Sequence, residues 1–167
     1  NISTTMLVRA AIHLAGRVDE HAALLARAES YIERQGGIPA LRARYGKDKT
    51  FAVPILTNYA LAGLVAWREV SALPFEAACL PQSWYRFAQL PVVSYAIPAL
   101  VAIGQAKFHH DPPRNPLVRL VRRSSIGPSL RVLQQMQPAS GGYLEATPLT
   151  SFVVMSLARI GQHEHPV

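Results

Sequence analysis

Apolar residues recur along this chain at helical spacing, broken at intervals by glycine and proline. Thr4 or Thr5 can cap a helix that runs to Leu14, and Gly16 ends it. Asp19 and Glu20 suit the start of a second helix through its dipole. Its apolar stripe is Ala23, Leu24, Ala28, Tyr31 and Ile32, so the pair predicts a hairpin with a short loop. Residues 38–49 carry Arg42, Arg44, Lys47 and Lys49 and read as a solvated loop, with a phosphate site as the sharper alternative.

Residues 50–65 predict the most apolar helix. Phe51, Val53, Ile55, Leu56, Tyr59, Leu61 and Leu64 cover almost every direction around its axis, a pattern that means burial or lipid. Pro54 falls in its expected first turn, where proline is tolerated, and Thr57 and Asn58 are its polar exceptions. Residues 67–91 look irregular, with Pro74, Pro81 and Pro91. Phe75, Trp84, Tyr85 and Phe87 there either pack a long loop onto the body or line a cavity. The apolar run 90–103 is 14 residues long and holds Pro91 and Pro98. A membrane span needs about 20 residues, so the run is a buried helix or a segment dipping into one leaflet.

A proline-rich linker is expected over 108–116, and Asn115-Pro116 opens a helix bearing Arg119, Arg122 and Arg123. Gly127-Pro128 predicts a restart into a further helix with Leu130, Leu133 and Met136 inward, ending at Gln137. A last helix runs from Thr147-Pro148 to Gly161. No strand pattern appears, so the fold class is all-α. One stretch links these elements: Gln137-Pro138-Ala139-Ser140-Gly141-Gly142-Tyr143 reverses the chain after a periodic run. Tyr31-Ile32-Glu33-Arg34-Gln35-Gly36-Gly37 is an earlier copy, and two copies suggest an array of helical hairpins.

Composition narrows the chemistry. Half of the 167 residues are apolar and 16% are charged, which excludes a disordered chain. The formal charge of +7 is mostly arginine and fits a basic surface, anionic lipid or a diphosphate. The arginines are dispersed and not interleaved with aromatics, which argues against nucleic acid. Cys79 is the single cysteine, so no internal disulfide and no Cys-rich zinc site can form. The chain starts at Asn1 without a signal-peptide pattern and is expected to be a segment of a longer protein.

No nucleophile elbow and no phosphate-cradling loop occurs. His109-His110-Asp111 and His163-Glu164-His165 are weak metal candidates that read as loop and terminus. The aspartates, Asp19, Asp48 and Asp111, stand apart. Protonating an alkene needs a carboxylic acid kept neutral by a neighbouring carboxylate or a dry pocket. No Asp-x-Asp-Asp cluster and no Asp-Asp-x-x-Asp magnesium motif is present.

Taken in order, several stretches resemble the squalene–hopene cyclase family of triterpene cyclases. Ser3-Thr4-Thr5 with Ala11-Ile12-His13-Leu14-Ala15-Gly16 is similar to the family's early helix ending Ala-Leu-Lys-Leu-x-Gly. Tyr31 to Gly37 resembles the next helix, which ends in Gly-Gly. Ala60-Leu61-Ala62-Gly63, Trp67, Leu73-Pro74-Phe75-Glu76 and Leu80-Pro81 follow the family's Leu-Ala-Leu-x-Gly, Trp, Pro-Pro-Glu and Leu-Pro order. Gln137 to Tyr143 resembles its Gln-Trp repeat, with Tyr143 in place of tryptophan. Asn58 stands near a position where the family tends to have a cavity-facing tryptophan, and Leu90-Pro91-Val92-Val93 replaces a Ser-Trp-Ala-Arg segment.

The resemblance implies a partial α/α barrel, a toroid of helical hairpins of terpenoid cyclase type. Residues 1–110 would be the latter part of an inserted barrel, and 111–167 the return into the catalytic one. It implies a monotopic enzyme on the cytoplasmic side of a membrane that cyclises a linear triterpene such as squalene without metal or cofactor. Its partners would be that substrate, the membrane surface and, in a homodimer, a second copy, but no nucleic acid. Phe51, Asn58, Tyr59, Trp67, Trp84 and Tyr85 are the candidates for the cavity wall, each open to a plain core role. No catalytic or metal-binding residue is assigned within the chain. A non-catalytic isoprenoid- or membrane-associated α/α repeat protein is the rival. A protein-prenyltransferase-type barrel would need an Asp/Cys/His zinc site, toward which only Cys79 offers a thiol.

Overall fold

The computed structural model describes residues 1–46, 49–80, 96–162 and 164–166. The fold is all-α, with no strand among the described residues. Two compact units divide it, Asn1–Ser71 and Ala72–Val167.

The first unit holds α1 (Ile2–Leu14), α2 (Ala22–Arg34), α3 (Gly37–Tyr45) and α4 (Lys49–Leu61). Asn1, not Thr4 or Thr5, caps α1: its side-chain oxygen accepts from the Ser3 amide at 3.1 Å. Thr5 lies inside the helix, with its hydroxyl on the Asn1 carbonyl at 3.0 Å. The expected loop over 38–49 is mostly a helix. Gly36 sits in the left-handed region at φ 89° and turns the chain directly from α2 into α3. Pro39 then falls in the first turn, where its missing N–H costs nothing. Leu41 is fully buried, and Arg42 bonds the Glu69 carboxylate and carbonyl at 3.0 and 2.8 Å. That pairing gives Arg42 a partner within the fold. Lys47 and Asp48 lie outside the described residues.

α4 is buried on nearly every side, as its all-round apolar pattern requires, because α1 and α3 both pack on it. It starts at Lys49, so Pro54 stands inside the helix and not in its first turn. The Thr57 hydroxyl donates to the Val53 carbonyl at 2.8 Å, which satisfies a buried donor within the helix.

The second unit holds a 3-10 turn (Phe75–Cys79), α5 (Ile97–His110), α6 (Pro116–Met136), a 3-10 turn (Tyr143–Glu145) and α7 (Thr147–Arg159). The end of the apolar run 90–103 opens α5 and is core: Val101, Ala102 and Ile103 are fully buried. Residues 90–95 lie outside the described ones. α5 runs on to His110, into the expected linker, and an i,i+4 ion pair of Lys107 with Asp111 closes its last turn. His109 and His110 are therefore helical, with their rings edge-to-face at 5.0 Å. His163 lies outside the described residues.

α6 passes unbroken through Gly127-Pro128, where a restart was expected. The reason is side-chain donors around the proline. Gln105 Nε2 donates to the Ile126 carbonyl at 3.1 Å and to Ser129 Oγ at 2.9 Å, and Ser129 Oγ donates to the Ser125 carbonyl at 2.7 Å. These bonds hold the Ser125 and Ile126 carbonyls beside the proline, whose missing N–H removes the helical bond to the Ser124 carbonyl.

Leu130 and Leu133 of α6 meet Val101 of α5 and Val153 and Leu157 of α7 in one apolar core. The turn at 137–143 is fastened to it. Gln137 Nε2 donates to the Gly141 carbonyl at 3.1 Å, and the Tyr143 amide donates to Thr150 Oγ1 at 3.0 Å. Tyr143 is buried and its hydroxyl donates to the Leu133 carbonyl at 3.3 Å. The aromatic ring after the glycine pair is therefore a peg that ties the turn to the helix before it. No helix among the described residues is long and apolar enough to cross a membrane.

Candidate functional site

Burial forces α4 to present its polar residues to neighbouring helices, and the most polar junction of the first unit forms there. Tyr59 is 3% exposed, and the Arg9 guanidinium of α1 lies beside it. Arg9 Nη2 donates to Glu29 Oε1 of α2 at 2.7 Å. Burial raises the Tyr59 phenol above its ordinary pKa, and the Arg9 charge opposes that rise. Tyr59 Oη, Arg9 Nε and Asn58 Oδ1 are all buried without a hydrogen-bond partner among the described residues. A cleft of about 230 Å³ opens between α1 and α2, lined by Thr4, Thr5, Val8, Arg9, Ile12, Leu24, Leu25 and Ala28.

The described candidate wall residues differ in their surroundings. Phe51 is 57% exposed and stacks on Tyr45 of α3, ring centroids 5.6 Å apart. Asn58, seven residues on, shares its face of α4 but is 6% exposed. Tyr59 adjoins that face, and Trp67 is half-buried in the 3-10 turn Trp67–Glu69. Trp84 and Tyr85 lie outside the described residues. Reading by pattern missed Arg9 and Glu29. Arg9 follows Met6 and precedes Ala10, both fully buried, so a charge inside an apolar stripe was the available signal. Its partner stands 20 residues away and is visible only once the hairpin closes.

The chemistry open to this junction is limited. A carbocation beside Tyr59 would meet the Arg9 charge and not an open aromatic face. Several carboxylates sit against cations: Glu29 on Arg9, Glu69 on Arg42, Glu76 on Arg122 and Asp111 on Lys107. Each of these carboxylates is engaged by a cation of its own unit. No group of three or more His, Cys, Asp or Glu among the described residues could hold a metal. In the second unit an open groove of about 530 Å³ is lined by Ser140, Gly142, Thr147, Thr150, Ser151, Val154 and Met155, with no titratable side chain for acid–base work.

The model of the squalene-hopene cyclase N-terminal domain matches residues 1–119. The chain belongs to that family. No curated protein and no solved structure matches it. The match spans all the candidate wall residues and ends within α6, before the turn at 137–143. In this squalene-hopene cyclase N-terminal domain Leu73-Pro74-Phe75-Glu76 is scaffold. Phe75 is fully buried and Glu76 accepts from Arg122 Nε at 3.2 Å.

Asn58 offers a direct test of whether the polar junction is structural. A buried amide oxygen without a partner costs about 1–3 kcal/mol. Asn58→Leu is expected to raise stability by about 1–2 kcal/mol in urea unfolding. A loss of similar size would mean that the amide is bonded in solution.

Proposed function

We propose that the chain is part of a triterpene cyclase that closes a linear triterpene such as squalene by protonating a terminal alkene. The family match over residues 1–119 carries this reading. The described residues would contribute apolar wall and scaffold, since the carboxylates of Glu29, Glu69, Glu76 and Asp111 are engaged in ion pairs within the two units. The protonating acid would come from elsewhere in the protein. A linear triterpene dissolves in the bilayer, so the enzyme would work as a peripheral, monotopic protein at the cytoplasmic membrane surface. The whole protein, purified in detergent and given squalene, is expected to yield a cyclised product by gas chromatography–mass spectrometry. No product, under conditions where an established cyclase turns over, overturns the reading.

The Arg9 charge and the Asn58 amide in the first unit favour a second reading, a non-catalytic isoprenoid- or membrane-associated α/α repeat protein. Saturable binding of squalene without any turnover would select it.

A further inference from the structure

The cleft between α1 and α2 sets one charge into an otherwise aliphatic groove. Val8 and Ile12 of α1 and Leu24 and Ala28 of α2 line it, each pair one helical turn apart. Val8 and Leu24 are exposed at its mouth. Among the described residues of the lining, Arg9 is the one that carries a charge. A helical side chain leans toward the N-terminus of its own helix. Arg9 therefore leans away from Ile12 and Leu24, which form an aliphatic end beside the connection of the hairpin.

The Arg9 charge is only partly met. Its Nη2 pairs with Glu29 Oε1 at 2.7 Å, but the Glu29 side chain is 51% exposed. A pair with so exposed a partner is weak and readily exchanged. Arg9 Nε is buried with no hydrogen-bond partner among the described residues. From α4 the group beside Arg9 is Tyr59, a phenol that burial keeps protonated at neutral pH, not a second carboxylate.

Size and charge together define an occupant. At about 230 Å³ the cleft lies below the roughly 300–1,000 Å³ of sites for drug-sized ligands. It takes a short chain and not a triterpene. Aliphatic walls disfavour an inorganic anion, and the Glu29 charge disfavours a dianion. A guanidinium matches a carboxylate through two parallel N–H bonds.

We propose that this cleft binds a short aliphatic carboxylate, with the carboxylate on Arg9 and the chain along Val8, Ile12, Leu24 and Ala28. The site goes beyond the cyclase reading and does not rest on it. The test is isothermal titration of the whole protein at low salt with hexanoate, and with hexanol and hexylammonium as controls. Hexanoate is expected to bind about tenfold tighter than hexanol, and hexylammonium weakest of the three. From acetate to hexanoate each methylene should tighten binding by up to about fourfold. Glu29→Gln removes the competing carboxylate and should tighten hexanoate by up to about fivefold. Ala28→Leu fills the cleft and should weaken it about tenfold, for the lost burial of about two methylenes. Arg9→Gln should make hexanoate and hexanol alike. Should circular dichroism show that Arg9→Gln does not fold, the other two variants decide. Equal binding of hexanoate and hexylammonium overturns the proposal, as does no binding of hexanoate at all. So does hexanoate binding that Glu29→Gln and Ala28→Leu both leave unchanged, since that places the ligand elsewhere. Turnover of squalene decides the cyclase reading separately.

Discussion

Replacing Phe75 with alanine is expected to cost the second unit about 3–5 kcal/mol. Phe75 is fully buried, and its ring lies 5.9 Å from that of Phe108, tilted by 56°. The Arg122 guanidinium sits 5.9 Å above the ring, which adds a cation–π contribution of about 0.5–2 kcal/mol. α5 approaches so closely that a Cβ at Gly104 would lie 3.0 Å from both the Leu73 carbonyl oxygen and Phe75 Cβ. The ring therefore fills space that backbone on either side defines, and backbone cannot collapse into the hole. Urea unfolding of the variant measures the cost, and Phe75→Leu should recover a good part of it by refilling volume. A loss under about 1 kcal/mol would mean that the turn Phe75–Cys79 repacks and that the closeness of Gly104 is not a constraint.

This prediction bears on function, because residues 73–76 are among those that carry the family resemblance. Their structural partners are all internal: Phe75 in the core, Glu76 on Arg122, the Leu73 carbonyl against Gly104. The motif reads as a device for fixing α5 and α6 around a turn, not as chemistry. The same holds for Gln137, whose amide bonds the Gly141 carbonyl within its own turn.

Elements buried on one face, or on all, were legible in the pattern. α4 declares its burial, because period and composition reflect a local choice of side chains, whereas the stripe expected for α2 is off by a residue: Leu24 is exposed, and Leu25 and Ile32 are the buried residues. α3 was hidden because Gly36-Gly37 and Pro39 look like loop punctuation, while the φ of 89° at Gly36 that lets a helix start at once is a three-dimensional fact. The continuity of α6 was hidden for a different reason. Pro128 disfavours a helix in isolation, and Gln105, which braces the helix there by donating to the Ile126 carbonyl, belongs to α5. The junction of Arg9, Glu29 and Tyr59 likewise exists only after three helices meet. Of the candidate wall, Asn58 and Tyr59 are buried, but Phe51 on the same helix faces solvent because α3 ends beside it in Tyr45.

Tyr143 departs from the tryptophan usual in the repeat that residues 137–143 resemble, and the departure makes stability pH-dependent. Burial pushes its phenol up to about 12, against about 10 for a free tyrosine. Below pH 10 folded and unfolded chains both keep the proton, so Tyr143 adds no slope. Between pH 10 and 12 the unfolded chain loses it while the folded one holds it, and stability falls as pH rises. Holding a proton across that interval, in which the unfolded chain has given it up, makes the full fall about 2–3 kcal/mol. Tyr59, also raised by burial, adds a slope of the same sign in the first unit. Tyr143→Phe is expected to cost about 0.5–1.5 kcal/mol at neutral pH, for the lost bond to the Leu133 carbonyl, and to flatten the alkaline loss to what Tyr59 leaves. Urea midpoints of both proteins from pH 8 to 12 measure this directly. Parallel curves would mean that the Tyr143 hydroxyl reaches solvent, and that the peg joining the glycine turn to α6 is looser than its bond to Leu133 implies.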